Sequence, residues 1–188
     1  MPSWIDLFLN TPQGSLFVKI TPEFLKEAAN IPGIASEFNN IPEVLELILS
    51  QNVSELSTGY LQTHAELFYG MAHRRFLNTD KGRQAMIEKQ KKGEFFKCPR
   101  MLCHNFTCVP VGITNDLNKD KVKMFCPNCT DVYNYDGQFP VDGGFFGPDW
   151  VHHLMNENPE IVSEELPETY IPRVFGFKVF IQANQPTS

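Results

Sequence analysis

The chain changes its hydrophobic rhythm once, near Gly93. Before that point apolar residues recur at three- and four-residue intervals, the period of an amphipathic helix. Leu61, Ala65, Phe68 and Ala72 make one such stripe, which predicts a helix with one buried face. Leu45, Ile48 and Leu49 make another behind Asn40-Ile41-Pro42-Glu43, where a proline inside the first turn and an acid beside it favour a helix start. Polar Ser50 to Ser57 reads as the connection between the two, with Ser57-Thr58 capping the second. A further helix is expected from about Asp80 to Lys92. Thr79 is its candidate N-cap, and Gly93 suits the left-handed turn that ends it.

Beyond Gly93, Phe95, Phe96, Val109, Val111, Val122, Met124, Phe125, Val132 and Tyr133 lie in short runs between glycine, proline and asparagine. That pattern predicts strands joined by turns. The stretch from Asp142 to Pro148 reads as a turn, and an acidic segment from Glu157 to Glu168 leads to a last apolar strand, Val174 to Ile181. In extended form Phe175, Phe177, Val179 and Ile181 would share one face, with Val174 and Phe180 on the other. So much apolar surface has to be buried, either on the chain's own body or against a partner. The expected fold class is α+β: an all-helical domain over 1–93, a four-cysteine zinc ribbon over 94–150, and a C-terminal extended segment over 151–188.

All five cysteines fall between Cys98 and Cys129. Cys98-Pro99-Arg100-Met101-Leu102-Cys103 is Cys-x4-Cys, and Cys126-Pro127-Asn128-Cys129 is Cys-x2-Cys, with 22 residues between the pairs. Zinc takes four ligands at the corners of a tetrahedron, and two tight turns can each supply two thiolates. In a reducing compartment such a cluster reads as metal ligands rather than disulfides. Cys98, Cys103, Cys126 and Cys129 are therefore the predicted ligands of one structural Zn2+, with nearby amides donating to the sulfurs. Cys108 reads as a small buried apolar side chain, and His104 as excluded by a shell that four thiolates fill. His152-His153 would point to opposite faces of a strand, and His64 and His73 read as packing or solvent-facing residues; none is taken as a ligand.

A closed thiolate shell leaves no open position for water or substrate, so it supports structure rather than hydrolysis. The chain also lacks a Gly-rich phosphate loop with its lysine, a nucleophile elbow and a His-Glu-x-x-His pattern. No catalytic centre is expected. The net charge of -6 argues against nucleic acid as a partner, since a surface that neutralises phosphates is normally basic. The densest cations, Lys81, Arg83, Lys89, Lys91, Lys92 and Lys97, read as a solvated helix end. No apolar run is long enough for a transmembrane helix, and the start, Met1-Pro2-Ser3-Trp4, lacks the features of a secretory signal, so an intracellular protein is expected. The rival reading is a zinc-ribbon nucleic-acid or transcription-factor module, with a zinc enzyme third.

Several runs carry a family likeness. They are Tyr69-Gly70-Met71-Ala72-His73-Arg74-Arg75-Phe76, Gly93-Glu94-Phe95 leading into Cys98-Pro99-Arg100, and Cys126 to Tyr133. Asp142-Gly143-Gly144-Phe145-Phe146-Gly147 and Pro172-Arg173-Val174-Phe175-Gly176-Phe177-Lys178 complete the set. With these in order, from Ser3 to about Phe180, the chain resembles the regulatory (beta) subunit of casein kinase II.

The resemblance implies a non-catalytic subunit that forms a homodimer through its zinc ribbon. It implies that a C-terminal segment grips the catalytic (alpha) subunit, in a two-plus-two tetramer whose kinase activity and choice of protein substrates it modulates. On the matched motifs, Pro99, Met101 and Val132 fall where ribbon packs on ribbon, and Arg173, Phe175 and Phe177 fall on the catalytic-subunit contact. A cytoplasmic and nuclear location is expected. The chain departs from the family in having Phe175 where tyrosine is common, and in a short, nearly uncharged Leu49 to Glu55 where the family carries an acidic loop. It also lacks the family's Ser- and Glu-rich N-terminal extension, so autophosphorylation there is not expected, and its C-terminal tail is short.

Overall fold

The computed structural model describes residues 2–56, 58–137, 139–162 and 167–179. The chain opens with helix α1 (Trp4–Leu9). The Ser3 hydroxyl accepts the Asp6 N–H while the Asp6 carboxylate accepts the Ser3 N–H, a reciprocal cap that satisfies two otherwise orphaned amides. A 3-10 turn (Gly14–Leu16) leads to α2 (Pro22–Ala28), capped by Thr21, then α3 (Pro32–Ala35) and α4 (Ile41–Ile48). Each of these three helices has a proline in its first turn, where the missing N–H has no intrahelical acceptor to lose.

The two longest helices follow, α5 (Tyr60–Leu77) and α6 (Asp80–Lys91). Thr79 caps α6 as predicted, its hydroxyl accepting the Gly82 N–H. The start of α5 differs from prediction. Its N-cap is Gly59 at φ +105, a backbone region that glycine enters freely, and Ser57 lies outside the described residues. Ala65, Phe68 and Ala72 are fully buried, whereas Leu61 sits in the exposed first turn at 36%. From Phe68 to His73 every residue is buried. The reason is placement: α2, α3, α4, α6 and a second 3-10 turn (Gly143–Phe145) all pack against α5.

The motif that carried the family likeness is thus a packing device. The Tyr69 hydroxyl donates to the Val18 carbonyl and accepts the Ile20 N–H, at 2.9 and 3.0 Å. His73 Nε2 accepts the Val18 N–H, and Nδ1 faces the Phe145 carbonyl. A Cβ on Gly70 would come 2.5 Å from the Phe145 ring, so only glycine lets the second 3-10 turn approach the helix.

The cations read as a solvated helix end divide differently. Lys89 Nζ donates to the Ser15 and Phe17 carbonyls, closing the end of the first 3-10 turn. Arg83 is buried between Asp80 (2.6 Å) and Glu157 (2.8 Å), tying α6 to a distant helix. Lys81, Lys91, Lys92 and Lys97 remain exposed.

In the second half, strands β1 (Val109–Val111), β2 (Lys123–Phe125) and β3 (Val132–Asn134) form an antiparallel sheet in that order. Pro110 faces Met124, which in turn faces Tyr133. Helix α7 (Trp150–Glu157) carries His152 and His153, both exposed; they sit on a helix, not on the strand considered above. Apolar residues of both halves, from Trp4 through Met124 to Leu154, belong to one buried cluster.

The final segment is not the single strand its alternation predicts. Strands β4 (Arg173–Val174) and β5 (Phe177–Lys178) pair antiparallel around Phe175-Gly176, whose φ angles are +50 and +86. Two positive φ angles match the twist of a two-residue hairpin, and Gly176 adopts one at no steric cost. Phe175 therefore stands at the turn rather than on a face shared with Phe177. Phe180 and Ile181 lie outside the described residues.

Candidate metal centre

Two loops make the centre. Cys98 and Cys103 flank a loop in which the Cys103 N–H donates to the Arg100 carbonyl and the Cys98 N–H reaches across to Phe106. Leu102 inside this loop has positive φ, and so do His104 and Asn105 just after it, where the chain turns back so that Phe106 pairs with Cys98. The shorter loop follows β2. There the Thr130 N–H donates to the Cys126 carbonyl, Thr130 itself turns left-handed at φ +58, and the Cys126 N–H donates to the Asp131 carbonyl as β3 begins.

These loops bring the four predicted ligands into contact. All four sulfurs lie within 4.8 Å of one another, and all four cysteines are buried. Cys98 to Cys129 and Cys103 to Cys126 are each 3.7 Å. A tetrahedron with metal–sulfur bonds of about 2.3 Å has edges of about 3.8 Å, so the spacing suits one ion at the centre. Hydrogen bonds also reach the sulfurs. The Arg100 amide serves Cys98, the Cys129 amide serves Cys126, and the Asp131 amide serves Cys129.

Two side chains in this shell were not picked out by the sequence reasoning. Asn128 Nδ2 donates to Cys103 at 3.6 Å, and the Tyr133 hydroxyl lies 3.2 Å from Cys129. The signal for the first was its place inside the Cys-x2-Cys loop. Tyr133 had none beyond its short distance in sequence from Cys129.

The electrostatics favour a bound cation. Burial pushes the Cys98 thiol up to about 12 and raises Cys103 as well. Cys126 is raised first by its hydrogen bond with Cys108 and then by burial. Burial also works against ionising Cys129, but the Tyr133 hydroxyl, the Asp131 amide and the adjacent cysteines outweigh it and bring the thiol down to about 7. One thiolate is thus tolerated alone, and four require compensating positive charge. The donor set fits a structural metal. Cys108 is buried beside the cluster but is not one of its four members, and exposed His104 is not among them either.

The chain matches the family profile "Casein kinase II regulatory subunit" over residues 3–178. It is 33% identical over 189 residues to casein kinase II subunit beta of Dictyostelium discoideum, covering 97% of this chain and 70% of that protein. It is 34% identical to casein kinase II subunit beta of Schizosaccharomyces pombe, covering 94% of this chain and 78% of that protein. Against subunit beta' of Drosophila melanogaster the identity is 32%, over 94% of this chain and 84% of that one. The chain belongs to the casein kinase II regulatory subunit family.

This family is the non-catalytic part of the kinase, and membership implies association with catalytic subunits. The six residues assigned to partner surfaces are all exposed. Pro99 and Met101 (66% exposed) stand on the Cys-x4-Cys loop, and Val132 (52%) lies on β3, an edge strand. Arg173, Phe175 (96%) and Phe177 (79%) stand on the β4–β5 hairpin. Five residues before the hairpin, the Glu168 N–H donates to the Leu102 carbonyl in the first cysteine loop.

Proposed function

We propose that this casein kinase II regulatory chain binds one Zn2+ through Cys98, Cys103, Cys126 and Cys129 and dimerises through the ribbon so formed. The dimer captures two catalytic subunits with its β4–β5 hairpins and modulates their activity and choice of protein substrates. In this reading residues 1–93 are a helical domain, 94–150 the dimerising ribbon and 151–188 the segment that contacts the kinase. The assembly works in cytoplasm and nucleus.

The observation that carries the reading is the exposure of two separate apolar surfaces, Met101 and Val132 on the ribbon, and Phe175 and Phe177 on the hairpin. Large apolar side chains left in water favour association, and two distinct patches allow two different partners at once. The metal ties the first patch to folding, because the loops presenting it close around the four sulfurs.

Native mass spectrometry tests the proposal on the full chain, alone and mixed with a casein kinase II catalytic subunit, before and after chelation. A zinc-loaded dimer that takes up two catalytic subunits, and falls apart on chelation, is the expected result. A zinc-loaded monomer that ignores the kinase refutes it, and a dimer that survives complete metal loss refutes the link between metal and dimerisation.

A further inference from the structure

A cleft of about 380 Å³ opens where α1 and α5 meet the segments at 117–118 and 140–145. Its size falls in the range of small-molecule sites, and junctions between packed units are where such sites concentrate. Three aromatic rings line it: Phe17 lies 5.5 Å from Phe8 and 6.1 Å from Phe145, centre to centre. Leu67 and Leu117 add aliphatic surface. Two carboxylates, Glu66 and Asp142, also line the cleft, and no lysine, arginine or histidine does.

The two acids are held differently. Asp142 is committed to the fold, accepting the Asn118 and Gly144 amides at 2.5 and 2.8 Å. Glu66 is positioned by a buried relay. The Trp4 indole N–H donates to Gln62 Oε1 at 2.9 Å, and Gln62 Nε2 donates to Glu66 Oε1 at 2.7 Å. Gln62 is 6% exposed, so the relay is protected from water. Among the described residues, Glu66 Oε2 has no protein partner. A fixed, half-satisfied carboxylate in a cleft lined by half-buried Phe145, Leu67 and Leu117 suits a cation with an apolar body, which gains an ion pair and an apolar contact together. Phe8 and Phe17, each 3% exposed, offer it little ring face.

We propose that this cleft binds a small organic ammonium carrying an aromatic group, with the ammonium on Glu66 and the apolar group against Phe145, Leu67 and Leu117. The site is independent of the metal centre and of the kinase-binding reading. Calorimetry on the zinc-loaded full chain with 2-phenylethylammonium is the test, with 3-phenylpropanoate as the probe of opposite charge. Saturable one-to-one binding of the ammonium is expected, with no binding of the carboxylate. Glu66→Gln keeps the bond from Gln62 but removes the charge, and should weaken binding by about tenfold or more. Thr63→Trp, on the exposed flank of the cleft, should abolish binding by filling it, and it decides the matter if Glu66→Gln does not fold. No saturable binding, equal binding of both probes, or binding that survives Thr63→Trp overturns the proposal.

Discussion

His73 makes one part of this protein's acid sensitivity a single-residue question. Its imidazole is fully buried, with Nε2 accepting from Val18 at 3.2 Å and Nδ1 placed 3.1 Å from the Phe145 carbonyl. Only the neutral ring with its proton on Nδ1 satisfies both. Burial lowers its pKa from 6.5 to about 3; the Phe145 carbonyl opposes that shift and the Lys89 charge adds to it. The unfolded chain therefore binds the proton more readily than the folded one. The stability contributed by the neutral ring is complete above pH 6.5 and is lost as the pH falls from there toward 3. Integrating between those values gives a loss of about 1 kcal/mol from pH ~7.5 to ~5.5, and about 2 kcal/mol by pH ~5. His73→Gln retains a donor and an acceptor but has nothing to titrate. Urea unfolding of both proteins, at fixed protein and metal concentration, cancels the contributions of every other group. The variant should be less stable at neutral pH, and the gap should close by about 2 kcal/mol at pH ~5. Parallel stability curves would refute this account of His73.

Three other changes test separate parts of the structure. Gly70→Ala should destabilise the chain by about 1–3 kcal/mol in chemical denaturation, because the new methyl group meets the Phe145 ring at 2.5 Å; unchanged stability would mean that the ring turns aside. Tyr133→Phe removes the hydroxyl beside Cys129, and metal affinity should fall by about tenfold or more in competition with a chromophoric chelator; equal affinity would leave that hydroxyl without a role at the metal. Phe177→Ala should weaken binding to the catalytic subunit by about 1–3 kcal/mol in calorimetry, and unchanged affinity would remove the hairpin from the proposed interface.

What was legible in the sequence is what depends on near neighbours. Proline at a helix start, Thr79 as a cap and the paired cysteine spacings act over a few residues, and the structure places each as read. The capping box at Ser3 and Asp6 was equally local and went unread, so the first helix was missed. The α5 stripe was legible in its lower turns but understated the burial. Periodicity marks one apolar face, and it cannot reveal that packing surrounds Tyr69, Gly70 and His73 on every side. The hairpin shows the opposite failure. Alternation in Val174 to Ile181 favours a strand, and the positive φ angles at Phe175 and Gly176 are set by a turn that alternation does not encode.

The sequence by itself therefore determined helices α4 to α6, the short strands of the sheet, the four clustered cysteines and the family, each through spacings or ordered motifs that survive in one dimension. Only the tertiary structure decided which groups meet across the chain. It set Val18 against His73, Phe145 against Gly70, Glu157 against Arg83, and Phe8 beside Glu66 at the cleft. These contacts join residues dozens of positions apart, and their geometry follows from how the helices and the sheet share one core. No local pattern specifies that packing, because it is settled by the fit of all the buried surfaces at once.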